Sequence, residues 1–290
     1  MLTNKFSTTW ISLRESYDKL SRSDLLLKQY KNNKINLKKV IDIGGGNGSF
    51  LRWCHYKNII YDNFLIVDND EVLLKSFFPR TKSYLSTMSL SLIKDNMMSY
   101  RIQDLKNNED GIITLKKQDF YDSLDIINNY DLVSFSAVSD LLSKKFIKCL
   151  FSKIDKGKKL YLSICFDGRV KWKNKHEHDK YIISIFNQHQ KQEKTVGLAL
   201  GLNSINFIKS ISKKNNLKMH IADSSWLINS HDNHSKVFQK SYLNTIYKPL
   251  KKYELADKNI LEGWFRSKAK DIKNDKSNLI VGHKDILIET

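Results

Sequence analysis

Residues 38–50 read KKVIDIGGGNGSF, and the fold follows from how that run divides. Val40, Ile41 and Ile43 form a short β-branched run of the kind that makes a buried strand. Gly44, Gly45, Gly46 and Gly48 end it abruptly, before a helix expected from Ser49. Strand, glycine turn and helix, in that order, open a nucleotide-binding βαβ unit. Glycine serves such a turn because the backbone must bend tightly and approach a ligand that a Cβ would hold off. Dinucleotide sites use G-x-G-x-x-G and seat a pyrophosphate on the helix N-terminus. Here Gly44, Gly46 and Gly48 give G-x-G-x-G, Ser49 holds the third dinucleotide position, and Asp42 lies two residues before the first glycine. A carboxylate at that point repels a pyrophosphate and suits a ligand that carries positive charge. Alone, the motif is also compatible with a glycine turn that binds nothing.

The run D-x-G-x-G-x-G from Asp42 to Gly48 resembles the first motif of the Rossmann-like (class I) S-adenosylmethionine-dependent methyltransferases. The resemblance implies an α/β three-layer sandwich around a mostly parallel seven-stranded sheet with a reversed C-terminal strand. It also implies S-adenosylmethionine as cofactor, with Asp42 beneath its methionine portion.

Working outward, NFLIVDND reads as a second strand, Phe64 to Val67, ending in Asp68 and Asp70. Asp68 falls about twenty residues past the glycines, where an acidic side chain takes the ribose hydroxyls; Asp70 is its rival, and either acid could simply cap the next helix. Residues 71–106 read as helix and loop, broken at Pro79. A third strand, Ile112 to Leu115, precedes Gln118, Asp119 and Phe120. In the family this place receives adenine, so Asp119 is implied to meet the exocyclic amine and Phe120 the ring. A fourth strand starts at Tyr130 to Val133, with Ser134 to Asp140 at its end; a fifth spans Leu160 to Phe166 and ends in Asp167, Gly168 and Arg169. Residues 203–216 read as a helix, LKMHIADSSWLI as a strand, 234–270 as a helical pair, and NLIVGHKDILIE as the final, reversed strand.

The chain reads as one domain, 1–290. Residues 1–36 are expected as an N-terminal helical lid, and 170–201 as an insertion covering the acceptor. Arg22, and less so Arg14, could then meet the cofactor carboxylate. Ligands in open α/β sheets bind beyond the carboxyl ends of the strands. The candidate catalytic or acceptor-binding residues there are Asp140, Asp167, Arg169 and His189, with His283 also considered. A base is needed only where the acceptor is a hydroxyl or ring nitrogen. Asp167 is best placed by sheet topology, and Arg169 suits an acidic group on the acceptor.

Composition sets the remaining bounds. No stretch approaches the ~20 apolar residues that span a bilayer, and the first twenty residues lack a signal-peptide core, so a cytoplasmic protein without a membrane partner is expected. Cys54, Cys149 and Cys165 are scattered and give neither a zinc site nor a disulfide framework. His176 and His178 lack a third close ligand, so no metal is expected. The net charge is +18, yet 42 Lys stand against 7 Arg, and the lysines are dispersed. Arg is the residue favoured for phosphate and base recognition, so a solvated basic surface is the leading reading. The chain's two prolines, Pro79 and Pro249, leave no N/D-P-P-Y motif for base amino-methylation. Methyl transfer to a small-molecule acceptor is the resulting expectation. An RNA methyltransferase using the basic surface, with 169–175 as its groove, is the alternative, followed by a non-catalytic binding subunit.

Overall fold

Strand β1 (Lys39–Ile43) is covered on both faces, which is why it is apolar almost throughout instead of alternating. The computed structural model describes residues 8–28, 37–104, 111–194, 196–229 and 231–290. In it Val40 packs into one core with Phe50, Trp53 and Phe77, while Ile41 and Ile43 pack into a second with Phe135, Phe146 and Ile208. This is the alternation of a strand's side chains across a sheet.

The strands that follow are β2 (Asn63–Asp68), β3 (Leu90–Lys94), β4 (Ser99–Asp104), β5 (Gly111–Lys117), β6 (Leu132–Ser136) and β7 (Lys159–Trp172). After them come β8 (Glu193–Lys194), β9 (Gly197–Leu198), β10 (Lys218–Asp223), β11 (Trp226–Asn229) and β12 (Asn278–Glu289). The large sheet runs β10-β12-β7-β6-β1-β2-β5-β4-β3, with β11 also on β12. Strands β5, β2, β1, β6 and β7 are parallel; β12 is antiparallel to β7 and to β10. The expected core of seven strands with a reversed C-terminal one is therefore present.

Helices α1 (Thr8–Ser21), α2 (Leu25–Lys28), α3 (Ser49–Tyr56), α4 (Glu71–Lys75) and α5 (Phe77–Ser86) precede α6 (Phe120–Ser123) and α7 (Lys144–Lys153). Helices α8 (Asp179–His189), α9 (Ser204–Lys214), α10 (Asn233–Lys252) and α11 (Lys258–Lys273) complete the set. Helices α2 to α5 cover one face of the sheet and α7 and α9 the other. A third apolar cluster joins α1, α8, α10, α11 and β11 beyond the strand ends.

Three features differ from the sequence reading. Residues 90–104 form a β3–β4 hairpin on the sheet edge, and the helical stretch before it breaks at Ser76, three residues ahead of Pro79. Pro79 sits in the first turn of α5, where no intrahelical N–H is required. The stretch read as one strand before α10 is two, β10 and β11, divided at Ser224 and Ser225. Strand β7 continues through Gly168 to Trp172, so residues 170–172 belong to the sheet, while α8 and the β8–β9 pair occupy most of the segment to 201. Residue 195 of that segment, and residues 1–7 and 29–36 of the expected lid, lie outside the described residues.

Two bulges let β7 keep pairing. Ser163 and Ile164 stand against the single residue Asp285, and Asp167, Gly168 and Arg169 against Gly282.

Helix α1 is fastened on both sides. Arg52 of α3 and Arg80 of α5 both bond the Glu15 carboxylate, whose pKa their charges hold below the ordinary value despite the opposing effect of burial. Toward the other half, Trp226 Nε1 donates to Asp18 at 3.0 Å, Tyr17 donates to Ser235 at 2.9 Å, and the Trp10 ring stacks on Phe238.

Candidate active site

The glycine turn sits where β1 gives way to α3. Gly44 and Gly45 donate to Val67 O at 2.8 and 3.1 Å, which ties the turn to the end of β2. Gly44, Gly46 and Gly48 have φ of +72°, +54° and +84°, the left-handed region that L side chains rarely adopt. A Cβ on Gly44 would stand 2.9 Å from the Phe120 ring, and one on Gly45 2.6 Å from an Asp42 carboxylate oxygen. Gly48 precedes α3 and offers no side chain to cap it. The positive end of that helix is thus left to whatever binds the turn.

Asp42 lies under the turn, fully buried. Among the described residues neither of its oxygens finds a donor in ordinary hydrogen-bond geometry. Burial pushes its pKa up to about 7; neighbouring Ser134, its register partner on β6, and the Arg22 charge oppose the rise, and the Asp68 charge adds to it. Arg22, just past α1, is 3% exposed. Its guanidinium reaches three hydroxyls at the C-terminal edge of the sheet: Ser163 Oγ at 3.3 Å, Ser49 Oγ at 3.4 Å, and Ser136 Oγ. Its Nη1 is buried without an acceptor among the described residues. Two buried groups of opposite charge therefore flank the turn, each with hydrogen-bonding capacity left over. Such groups are costly unless a ligand completes them.

Asp68 ends β2 and is 9% exposed. One oxygen accepts from Gly46 N at 2.9 Å and the other from Asp70 N at 2.8 Å. Burial raises its pKa, against those amides. Asp70 caps α4, accepting from Val72 N and Leu73 N. The two acids thus divide as a turn-facing residue and a helix cap. Asp119 caps α6 through Tyr121 N at 2.8 Å, which sets Phe120 against Gly44 and Val138 beside it.

Beyond Phe120 opens a cavity of about 540 Å³, between the ends of β6 and β7 and helices α1, α8 and α10. Its walls include the rings of Trp10, Trp226, Tyr242, Phe166 and Phe186. Arg14, Asp140, His189 and His283 also line it. Arg14 is paired with Asp18 at 3.0 Å. Asp140 belongs to a 3-10 turn, Ser139–Leu141, after β6, and its charge helps burial to raise the Tyr242 pKa. His189 ends α8 against the Tyr253 ring. His283 is 4% exposed and 4.3 Å from the Trp226 ring centroid; burial, with Arg14 close by, pushes its pKa down to about 3. The imidazole is neutral near pH 7. Two further wall residues, Ala137 and Ile164, have φ of +56° and +53°. For a β-branched residue that conformation is strained.

Asp167 and Arg169 are not among the lining residues. The second β7 bulge turns them toward each other over Gly282, with Arg169 Nε donating to Asp167 at 2.7 Å and Nη2 reaching Asp223 at 3.4 Å. The sheet position that made Asp167 prominent in the sequence is real; the bulge redirects its side chain. In the 169–175 segment, Trp172 is 5% exposed, edge-on to Trp264 and under Lys268, so its ring is not open to a nucleotide base. Lys171, Lys173 and Lys175 are exposed. Among the described residues no three His, Cys, Asp or Glu side chains stand together as metal ligands, and no helix is long and apolar enough to cross a membrane.

Sequence reasoning did not find Ser49, Ser136 and Ser163 around Arg22. The signal for Ser136 and Ser163 was present, as hydroxyls within the otherwise apolar runs LVSFS and LYLSI.

No protein-family model matches the chain, and no curated protein does. Solved structures do. A phosphoethanolamine N-methyltransferase 2 of Haemonchus contortus, in complex with phosphomonomethylethanolamine and S-adenosylhomocysteine, is 14% identical over 99% of this chain, with a TM-score of 0.46. This chain spans 58% of that protein's length. The YcgJ protein of Bacillus subtilis is 12% identical over 94% of this chain and 96% of its own, with a TM-score of 0.46. A coclaurine N-methyltransferase bound to N-methylheliamine and S-adenosylhomocysteine is 12% identical over 100% of this chain and 75% of its own, with a TM-score of 0.40. At these values the likeness is one of chain path, and the reading of the site rests on its residues. Five parallel strands, a reversed β12 set between β7 and β10, and the glycine turn at the end of β1 make this the Rossmann-like fold of class I S-adenosylmethionine-dependent methyltransferases.

Proposed function

We propose that the chain is an S-adenosylmethionine-dependent methyltransferase whose acceptor is a small molecule held in the aromatic cavity. One observation carries the reading: the buried Asp42 carboxylate and the buried Arg22 Nη1 lack partners on either side of a glycine turn and an uncapped helix. A zwitterionic α-amino acid completes both, and the cofactor's methionine portion is one. Arg22 and the first amides of α3 would take its carboxylate, and Asp42 its ammonium group, directly or through water. Asp68 would hold the ribose, with Asp119 and Phe120 at the adenine.

The cofactor supplies a methyl group made electrophilic by its sulfonium. The chain's task is then to orient the acceptor and exclude water. The cavity suits this, with a volume ordinary for a small-molecule site and walls that carry seven Phe, Tyr and Trp rings. Asp140, one of two wall carboxylates with Glu193, is the first candidate to take a proton from a hydroxyl or ring nitrogen, with His189 as second candidate. His283, being neutral, serves as a hydrogen-bonding group and not as a cation. Asp167 and Arg169 are assigned no part, since they pair with each other outside the cavity. The RNA reading draws on the net charge of +18 and on the exposed Lys171, Lys173 and Lys175, beside a Trp172 that is buried.

Calorimetry is the first test: S-adenosylmethionine and S-adenosylhomocysteine bind, and NAD does not. Tight NAD binding with none of the other two overturns the proposal. Mass spectrometry of metabolite pools incubated with methyl-labelled cofactor then identifies the acceptor.

A further inference from the structure

Asp285 belongs to none of the groups assigned above, yet it is a fully buried carboxylate that accepts from Ser23, Tyr161 and Ile164. It is the single β12 residue opposite the Ser163–Ile164 bulge of β7. One oxygen accepts from Ile164 N at 2.7 Å, and the other from the Tyr161 hydroxyl at 2.7 Å and from Ser23 N at 2.8 Å. The bulge backbone, with Ile164 at φ +53°, and the chain leaving α1 are thus pinned to one side chain. These two segments also hold Arg22. Ser23 is its neighbour in sequence, and Ser163, which precedes Ile164, accepts from Arg22 Nε.

The guanidinium's own contacts are to neutral hydroxyls, two of them at 3.3 and 3.4 Å. Hydroxyls on rotatable side chains, the close one of Ser136 included, hold its direction less firmly than the backbone that carries it. Arg22 N makes a helical bond to Asp18 O, but the Ser23 amide lies past the helix end and needs an acceptor from elsewhere. Asp285 provides it.

We propose that Asp285 is a positioning residue: by holding Ser23 and the β7 bulge it aims Arg22 at the glycine turn, and so sets affinity for the carboxylate of the cofactor's amino-acid portion. This rests on the reading of Arg22 given under the proposed function. Asp285 itself touches no ligand. A buried carboxylate that only satisfied these donors would, when changed, cost stability without favouring one ligand over another; one that aims a binding group also costs affinity for that group's ligand.

The test compares two ligands that share the nucleoside and differ in the amino acid, S-adenosylhomocysteine and 5′-methylthioadenosine, titrated into the full chain by calorimetry. Asp285→Asn weakens S-adenosylhomocysteine about tenfold, the scale of one misdirected charge-assisted bond, and leaves 5′-methylthioadenosine within about twofold. Arg22→Ala has the same selective effect, and the double variant is no weaker than Arg22→Ala alone, since the two act as one unit. Tyr161→Phe removes a bond to the same oxygen and the 3.4 Å contact to Ser23 O, keeps the Ser23 amide on Asp285, and leaves both affinities within about twofold. Equal weakening of both ligands by Asp285→Asn, unchanged S-adenosylhomocysteine affinity, or additive effects with Arg22→Ala would each overturn the inference. Hydrogen exchange at the Ser23 amide of the unaltered chain gives an answer that needs no variant. It slows with S-adenosylhomocysteine and not with 5′-methylthioadenosine; equal slowing by both counts against the positioning role. If the unaltered chain binds no S-adenosylhomocysteine, the proposed function falls and the inference with it. If it binds and Asp285→Asn changes nothing, only the inference falls.

Discussion

Replacing Asp42 by Asn should make the ligand-free protein more stable at alkaline pH while removing its hold on the cofactor. The carboxylate's pKa stands near 7 in the fold against an ordinary 3.8, chiefly through burial. A raised acid contributes stability that is fully present below pH 3.8 and is lost as pH rises through 7. Between pH 5 and pH 8 that loss is roughly 2–3 kcal/mol, at ~1.4 kcal/mol for each tenfold change in proton activity. Asn has the same shape and no charge to bury. Whatever its amide costs to bury is independent of pH and cancels in the comparison. The expected result is that Asp42→Asn gains roughly 2–3 kcal/mol more over wild type at pH 8 than at pH 5, about 5 °C in melting temperature for a chain of this size. Thermal unfolding at the two pH values measures it, beside titration with S-adenosylhomocysteine, which should weaken at least about tenfold. A variant equally stabilised at both pH values, or destabilised more at pH 8, would falsify the assignment of Asp42 as the unpaired buried charge. Wild-type affinity for the ligand should itself fall as pH drops below 7, because the acid must then give up a proton to receive an ammonium group.

Asp68→Ala should cost on the order of 1.5–3 kcal/mol in binding both S-adenosylhomocysteine and free adenosine, since a ribose contact is common to them; Asp70→Ala should instead cost about 1 kcal/mol of stability as a lost helix cap, and the opposite pattern in calorimetry would move the ribose role to Asp70. Glu15→Ala strands the buried Arg52 and should destabilise by about 3 kcal/mol at pH 7. With its folded pKa lowered below 4.5, the glutamate's contribution is present above that value and lost as pH falls below it, so chemical denaturation should show the gap between variant and wild type closing in acid. Finally, RNA association should fade steeply between low and physiological salt through counterion release, while turnover on a small acceptor persists. Labelled methyl groups accumulating in total RNA at physiological salt would reverse that choice.

How much of this was legible depended on sequence distance. The β1–turn–α3 unit is written in the thirteen consecutive residues 38–50, whose chemistry has few other uses, so Asp42 and the three positive-φ glycines could be read directly. Asp68 followed from its spacing and from the apolar strand before it. The β3–β4 hairpin escaped because its strands lie on an edge, half exposed, and carry no continuous apolar run. Gly168 read as the end of a strand, whereas it occupies a bulge inside one at φ +87°. A strand end there would carry Asp167 and Arg169 to the acceptor mouth; the bulge pairs them with each other. The seat of Arg22 combines Ser49, Ser136 and Ser163, the last of them 141 residues away, and the Ser23–Asp285 bond spans 262. No local pattern encodes such pairs; they exist only once the sheet has its order.

The placement of β12 has a consequence for biosynthesis. Residues 278–289 slot between β7 and β10, which are made much earlier. Until the ribosome has delivered them, β7 has an open edge and the Ser23 amide has no carboxylate to meet. A nascent chain can close β5-β2-β1-β6-β7 on its own, but pairing of such long separation forms late and slowly. During that interval an unpaired strand edge invites association with other chains. Cofactor capture, if Asp285 aims Arg22, then becomes a property acquired only once β12 has been made and paired.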